Sequence, residues 1–424
     1  MKTLSQLKAL IVAILISHVG MQSQTPPPQP IPAKFFSVTK NWFQPWPSIP
    51  VTSLRLWNTS TDWADINPSK GVYYWTVLDK WIAAGQSKSA DLILTMAGTP
   101  AWASSNRNDS NCRYGSAACA PPNDLNSDGT GTDQHWKDFV TAVVKHAAGR
   151  IKFWEIWNEP AWTIHWTGTP AQMVRMTRDA YTIIHNIDPN AKILAPGNQA
   201  LTSFHMKWWN SFAAAGGLKY VDIIALHGYT NYYPLACNVY PRPELISIHS
   251  KNLRTLLAAY GQSSKPLWDT EGSWGDTNRI CLSDPNLQAA WVARSLLVHW
   301  SQYVTRFYWY QWQGPTGGLA TSSNTLLKPG VAFQQLRQWL IGATMTTSCS
   351  ALLTTWTCNF SRPGGYVARA VWDTSQTCSN GTCTTIGYKI GTQWKHYRTL
   401  SGSVVTVSGT MVPIGIKPIL LENR

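Results

Sequence analysis

From residue 34 onward, short apolar runs rich in β-branched residues alternate with longer segments whose apolar positions recur at helical spacing. Eight such runs predict strands: Phe35 to Val38, Ser53 to Trp57, Leu92 to Ala97, Lys152 to Trp157, Lys192 to Ala195, Ile223 to His227, Pro266 to Thr270 and Phe307 to Gln311. The intervening helical segments are Tyr74 to Ala84, Gln134 to Ala147, Ala171 to Ile187, His205 to Ala215, Pro243 to Tyr260, Asn286 to Trp300 and Val331 to Ile341. Strand and helix alternating eight times predict an α/β fold, a (β/α)8 TIM barrel over 34–342. The alternative is an open doubly wound sheet, but no glycine-rich phosphate fingerprint follows any strand. After Gly342 the texture changes to Thr, Ser, Gly and β-branched residues. Runs at Tyr366 to Trp372, Thr384 to Tyr388, Lys395 to Thr399, Val404 to Val407 and Pro418 to Glu422 predict a C-terminal all-β sandwich over 343–424, packed on the barrel flank.

Composition narrows the class. With 44% hydrophobic, 12% aromatic and 13% charged residues and no long charge run, disorder, collagen-like repeats and coiled coil all fit poorly. The 24 Trp against 10 Phe are unusual, because indole is large and suits sites needing a flat apolar face beside an N–H donor. Sugar and base faces are two such partners. Residues 1–24 have the pattern of a signal peptide: Lys2 and Lys8 at the start, an apolar run from Ala9 to Ile16, then a Pro-rich linker over 25–33. No later stretch approaches the ~20 apolar residues of a membrane helix, so a secreted or cell-surface protein, acting as a monomer, is expected.

Losing Lys2 and Lys8 with the leader would lower the formal charge from +14 to +12. Such a balance favours acidic partners, among which an anionic polysaccharide is one candidate. Nucleic acid is not expected, because Lys and Arg are scattered singly, with no basic stripe or RNA-binding aromatic signature. The order of the eight Cys suggests local disulfides: Cys112 with Cys119, Cys237 with Cys281, Cys349 with Cys358, Cys378 with Cys383. No Cys-x-x-Cys occurs, which argues against zinc. The stretch Asp124-Leu-Asn126-Ser-Asp128-Gly129 begins like a calcium loop but has His135 where the closing Glu belongs, so no metal is expected. Asn58, Asn108, Asn359 and Asn380 stand in Asn-x-Ser/Thr triplets and are candidate glycan acceptors.

In a barrel, catalytic groups sit where the strands end and the βα loops converge. The fourth run ends Trp157-Asn158-Glu159-Pro160 and the seventh Asp269-Thr270-Glu271-Gly272, so each brings a carboxylate to the mouth of a chain that has only 21 acids. Two facing carboxyls are what glycosidic cleavage requires: one protonates the leaving oxygen, the other attacks the anomeric carbon or activates water. This pattern resembles the retaining glycoside hydrolases of clan A, whose acid/base and nucleophile glutamates lie on strands four and seven. The attached β domain looks like the accessory sandwich of family thirty-nine β-xylosidases.

The resemblance implies that Glu159 is the acid/base and Glu271 the nucleophile, with Asn158 bonding the substrate 2-hydroxyl and no cofactor. It places Arg55, His227 and Tyr229 beside the nucleophile. A cation and a donor there would hold Glu271 ionised, while Glu159 would need an apolar, weakly solvated setting to stay protonated. For Arg55 and His227 a buried ion pair or satisfied core histidine is the alternative to substrate contact. Glu155, an even number of residues before Glu159, is expected deeper on the same side, as a structural carboxylate. Trp57, Trp102, Trp274, Trp309 and Trp312 follow strand ends and read either as sugar-stacking walls or as loop packing, with at least one of Trp274 and Trp309 expected to touch sugar. The function implied is exported, retaining hydrolysis of β-linked poly- or oligosaccharide. A transglycosylase using the same residues and a non-catalytic carbohydrate-binding barrel are the alternatives; the presence of both glutamates argues against the latter.

Overall fold

The computed structural model describes residues 29–41, 45–230, 242–276 and 282–424. All eight expected runs form parallel strands: β1 Phe36–Lys40, β2 Ser53–Leu56, β3 Asp91–Met96, β4 Phe153–Ile156, β5 Lys192–Leu194, β6 Ile224–Leu226, β7 Leu267–Gly272 and β8 Val304–Trp309. They pair in sequence, with β1 between β2 and β8. Parallel bridges Leu194 to Ile223 and Asn198 to Leu226 close the cylinder between β5 and β6. Side chains alternate across the strand wall, as the pleat demands. Phe36 points outward, edge-on to Phe333. Ile93, Leu194, Ala225, Trp268 and Tyr308 fill the interior floor.

The outer layer comprises α1 Trp63–Ile66, α2 Thr76–Ser87, α3 Gln134–Ala147, α4 Pro170–Ile187, α5 Ser203–Ala214, α6 Ile246–Ala259, α7 Pro285–Ser301 and α8 Lys328–Leu340. Local chemistry sets their starts. Thr169 accepts from the Gln172 N–H while the Gln172 side chain returns to the Thr169 N–H, with Pro170 opening the helix. Asp284 caps α7 in the same way, accepting from the N–H groups of Asn286 and Leu287.

Beyond α8 a six-stranded antiparallel sheet runs in the order β16 (Val404–Thr406), β15 (His396–Arg398), β18 (Ile419–Glu422), β11 (Tyr366–Asp373), β10 (Thr355–Arg362), β9 (Thr344–Leu352). The pair β14 (Ile386–Lys389) and β17 (Met411–Ile414) covers one face, and Val371, Trp394, Val412, Ile414 and Leu421 fill the space between. The hairpin β9–β10 was invisible to periodicity, because its first strand buries only Met345 and otherwise carries exposed Thr and Ser. The disulfides Cys112–Cys119, Cys349–Cys358 and Cys378–Cys383 form as expected. The pair Cys237 with Cys281, the proposed leader and the first part of the proposed linker lie outside the described residues. The linker's last part is held: Ile31 exchanges backbone hydrogen bonds with Gly342 and Ala343 at the junction of barrel and sandwich.

Sandwich and barrel share buried polar contacts. Arg294 of α7 makes a two-pronged pair with Glu244, whose Oε1 also accepts from the Trp372 indole of β11 at 3.0 Å. Arg362 of β10 donates to the Trp339 carbonyl at the end of α8. Truncation after Ile341 would leave a buried ion pair half solvated and bare a barrel flank, so insoluble protein or a fall in Tm of about 5 °C or more is expected in calorimetry. A soluble truncated chain with unchanged Tm would show the sandwich to be an independent module.

Candidate active site

The site is assembled around Arg55, which alternation on β2 turns into the barrel interior, where it has no solvent exposure. Burial opposes its charge, but the carboxylates of Glu155 and Glu271 more than compensate and raise its pKa above the ordinary arginine value. Its Nε donates to Glu155 Oε2 at 2.7 Å, Nη1 to Glu271 Oε2 at 2.6 Å and Nη2 to Asn158 Oδ1 at 2.8 Å. One guanidinium therefore sets the positions of three side chains from β4, β7 and the turn after β4. Glu155 Oε2 also accepts from Thr95 Oγ1 at 2.6 Å, one layer below the mouth.

Glu159 reaches the mouth through an unusual turn. Trp157 and Glu159 both adopt left-handed backbone, at φ of 69° and 44°, a conformation that costs a non-glycine residue about 1 kcal/mol or more. Tertiary contacts hold it: the Trp157 N–H donates to the Met96 carbonyl at 3.0 Å and the Glu159 N–H to the Gly197 carbonyl at 2.7 Å. Residue 197 must be glycine here, because a Cβ would collide with His227 and Glu155.

Glu271 arrives through a β-bulge. Asp269 pairs with Phe307, yet Gly272, three residues on, pairs with Trp309, only two residues on. Without the extra residue Glu271 would share the outward face of Asp269, whose Oδ2 lies 2.6 Å from His299 Nε2 in the helix layer. With it, Glu271 turns to the mouth, where Oε1 accepts from the Tyr229 hydroxyl at 2.9 Å and Oε2 from Arg55.

The two glutamates meet across His227. A carboxylate oxygen from each and a ring nitrogen of His227 lie within 4.8 Å of one another. Glu159 Oε1 is 3.0 Å from His227 Nδ1 and its Oε2 is 3.6 Å from His165 Nε2. The setting of Glu159 is thus not the apolar one expected. Burial alone would raise its pKa; the hydrogen bond and charge of His227, aided by His165, overcome this and hold the carboxyl well below its usual range. Burial likewise opposes charge on His227, but Glu271 and Glu159 raise its pKa above the ordinary histidine value. The pair therefore stores a proton on the imidazole, one hydrogen bond from the carboxylate.

The same three atoms are the kind that gather around a cation, but the guanidinium of Arg55 already supplies positive charge at Glu271. The other convergence of metal-ligand residue types among the described residues, Asp109 with Cys112 and Cys119, contains the disulfide. In the calcium-like loop the carbonyls of Gly129, Gly131 and Thr132 accept from Arg175.

The tryptophans separate. Trp274 and Trp309 are buried and pack edge to face with each other and with Trp291 of α7, so the structure gives them the loop-packing role. Trp102 is half-buried, donates to the Asn67 carbonyl at 2.9 Å and meets His135 edge-on. Trp312 donates to Asn324. Trp57 lies beside Arg55, whose guanidinium is 5.7 Å from its ring centroid. Three residues not foreseen join it. Tyr114, between the half-cystines Cys112 and Cys119, lies edge-on to Trp57 at 5.1 Å and 5.4 Å from His165. Tyr310 accepts from Asn41 and Asn58. A water-sized cavity between Trp57, Tyr114, Asn158 and His165 also meets Asp62, whose carboxyl is pushed up to about 8 by burial and by Asp65. Tyr114 sits in a long loop without periodicity, and only its flanking cysteines marked it. Of the candidate glycan acceptors, Asn108 and Asn380 are exposed, whereas Asn58 faces Tyr310 and Asn359 binds Arg369.

No protein-family model matches the chain, and no curated protein matches it. Solved structures do. A family 39 glycoside hydrolase from the gut symbiont Bacteroides cellulosilyticus WH2 superposes with a TM-score of 0.64 at 17% identity, over 92% of this chain and 81% of that one. A monomeric β-xylosidase from Caulobacter crescentus CB15 gives 0.63 at 16% identity, over 93% and 96%. A GH30 endoxylanase from Clostridium papyrosolvens C71 gives 0.55 at 16% identity, over 93% and 97%. The chain therefore has the architecture of these glycoside hydrolases, a (β/α)8 barrel carrying a β-sandwich.

Proposed function

We propose that the protein is an exported, monomeric, retaining glycoside hydrolase acting on β-linked sugars, with xyloside-containing plant or microbial polysaccharide as the first substrate class to test. The observation that carries this reading is the approach of Glu159 and Glu271 at the mouth of the barrel, with oxygens inside 4.8 Å. Retaining enzymes hold their carboxyl groups ~5–5.5 Å apart, whereas inverting ones leave ~6.5–9.5 Å for a water. The barrel-and-sandwich fold shared with a β-xylosidase and an endoxylanase supports the substrate class. Three disulfides suit an oxidising compartment. Among the described residues no helix is long and apolar enough to cross a membrane.

Glu271, held by Arg55 and oriented by Tyr229, attacks the anomeric carbon as the bond to the leaving oxygen breaks. The leaving oxygen takes its proton from Glu159 as the proton stored on His227 passes to Glu159 through their hydrogen bond, which leaves Glu159 a carboxylate and His227 neutral. A water then attacks the glycosyl–Glu271 ester, passes a proton to Glu159 and releases Glu271 as carboxylate. Arg55 also binds Asn158, so its charge and the presentation of the Asn158 amide to a sugar hydroxyl are set together.

The test is direct. Aryl β-xylosides and β-glucosides are incubated with the protein and the first-formed sugar is followed by proton NMR. A β-anomer that later mutarotates is expected, because two inversions cancel; an α-anomer as the first product would overturn the mechanism.

A further inference from the structure

A groove of about 520 Å3 runs between barrel and sandwich, away from the carboxylates, and its size falls among small-ligand sites of ~300–1,000 Å3. Its barrel wall includes Asn286 and Lys328, near the starts of α7 and α8; its other wall includes Tyr397, Ser401, Ile416 and Lys417. Helices of a barrel begin after the loops of the catalytic face, so the groove meets the flank on the same side as the mouth. A chain long enough to lie in one could reach the other.

The lining is chemically mixed in a particular way. Tyr397 and Ile416 offer apolar surface, Ser401 a hydroxyl, and Lys328 and Lys417 two ammonium groups. The two lysines line the same groove, and burial together with the charge of Lys328 lowers the pKa of Lys417 despite the opposing charge of Asp284. Lys328 donates to the neutral Asn286 amide at 3.3 Å. Asp284, whose charge partly offsets theirs, also accepts from the N–H groups of Asn286, Leu287 and Gly381, so one acid faces two cations among the described residues of the groove. An apolar platform, a hydroxyl and a surplus of positive charge suit a sugar chain bearing carboxylates: ring faces rest on the platform and the acids meet the lysines. The strongly basic charge balance of the chain draws such a polymer in from a distance.

We propose that this groove binds a segment of an acidic oligosaccharide, with Lys328 and Lys417 taking its carboxylates, and so anchors a polymer at a distance from the bond being cut. The inference rests on the glycosidase reading for its choice of sugar. Its test is independent of catalysis. Tetragalacturonate and the neutral xylotetraose are titrated calorimetrically against the full chain, its Lys328→Ala/Lys417→Ala variant and its Lys328→Arg/Lys417→Arg variant. Expected are binding of the acidic tetramer, at least about tenfold weaker binding of the neutral one, and a loss of about tenfold in the alanine variant. The arginine variant keeps the affinity, and hydrolysis of a small aryl glycoside is the same in all three proteins. No binding of tetragalacturonate, equal binding of xylotetraose, or an alanine variant with unchanged affinity would overturn the proposal. Duplex DNA binding as tightly as tetragalacturonate, with the same loss in the alanine variant, would overturn it in favour of a general polyanion site. Absence of aryl glycoside hydrolysis in every variant would instead overturn the glycosidase reading, while the titrations would still decide the groove.

Discussion

Glu271→Gln is expected to lower kcat/KM on every β-glycoside by about four to six orders of magnitude, the scale seen when a covalent nucleophile is removed. The amide cannot form the glycosyl ester, and two of the acids nearest in sequence or fold are engaged elsewhere. Asp269 faces the helix layer against His299, and Glu244 is paired with Arg294 under the sandwich. The fold should survive, since Arg55 keeps its bonds to Glu155 and Asn158. Steady-state kinetics with thermal unfolding as control would measure both. Undiminished hydrolysis by a folded Glu271→Gln protein would remove this residue from the mechanism and return attention to Asp276, which also lies beyond β7.

Glu159→Ala should behave differently. Loss of the acid is severe when the leaving group needs a proton, by about two to four orders of magnitude for an alkyl or sugar leaving group, and mild for an activated aryl one. Deglycosylation then becomes slow, because no base activates water. Azide, which needs no deprotonation, should restore turnover and yield a β-glycosyl azide. The pH profile gives a second reading. In the wild type the Glu159–His227 pair carries one proton below the raised pKa of His227 and loses it as pH rises through that value. Its alkaline limb should therefore lie above the ordinary histidine range of ~6.5, and glycosylation should fall with rising pH. Glu159→Ala should lose that limb on activated aryl glycosides, because the proton is no longer used. Retention of the limb, or azide without effect, would show that Glu159 is not the acid/base.

The physical logic of the site is a division of labour between two carboxylates in different fields. Glu271 accepts from a buried guanidinium and a phenol hydroxyl. Glu159 is held by an imidazole, which lowers the proton affinity of the carboxyl yet keeps a proton within one hydrogen bond. Sequence reasoning foresaw the first environment from Arg55 and Tyr229. It assigned Glu159 an apolar setting because it placed His227 beside the nucleophile alone, and because His165 lies in a loop after β4 whose path no local pattern reveals.

Much of the architecture was legible because it repeats. Eight apolar runs separated by helical segments can bury their faces only by pairing in parallel under a helical layer, and each strand appeared within a few residues of its expected place. The hairpin β9–β10 escaped because its Thr and Ser side chains stay in water on one face and the strand is held by its neighbours and a disulfide.

For the site, sequence by itself determined which residues could carry the chemistry: two glutamates at strand ends in an acid-poor chain, with Arg55, His227 and Tyr229 on the neighbouring strands. Only the tertiary structure decided that they converge. Strict alternation would have left Glu271 on the outer face beside Asp269; a bulge set by pairing with β8 turned it inward. Two left-handed residues held by Met96 and Gly197 lifted Glu159 to the same point. It also buried Trp274 and Trp309 behind Trp291 and placed Tyr114 against Trp57 instead. The reason is common to all of these: side-chain period and residue type are properties of a local segment, whereas bulges, strained turns and loop paths are stabilised by contacts distant in sequence.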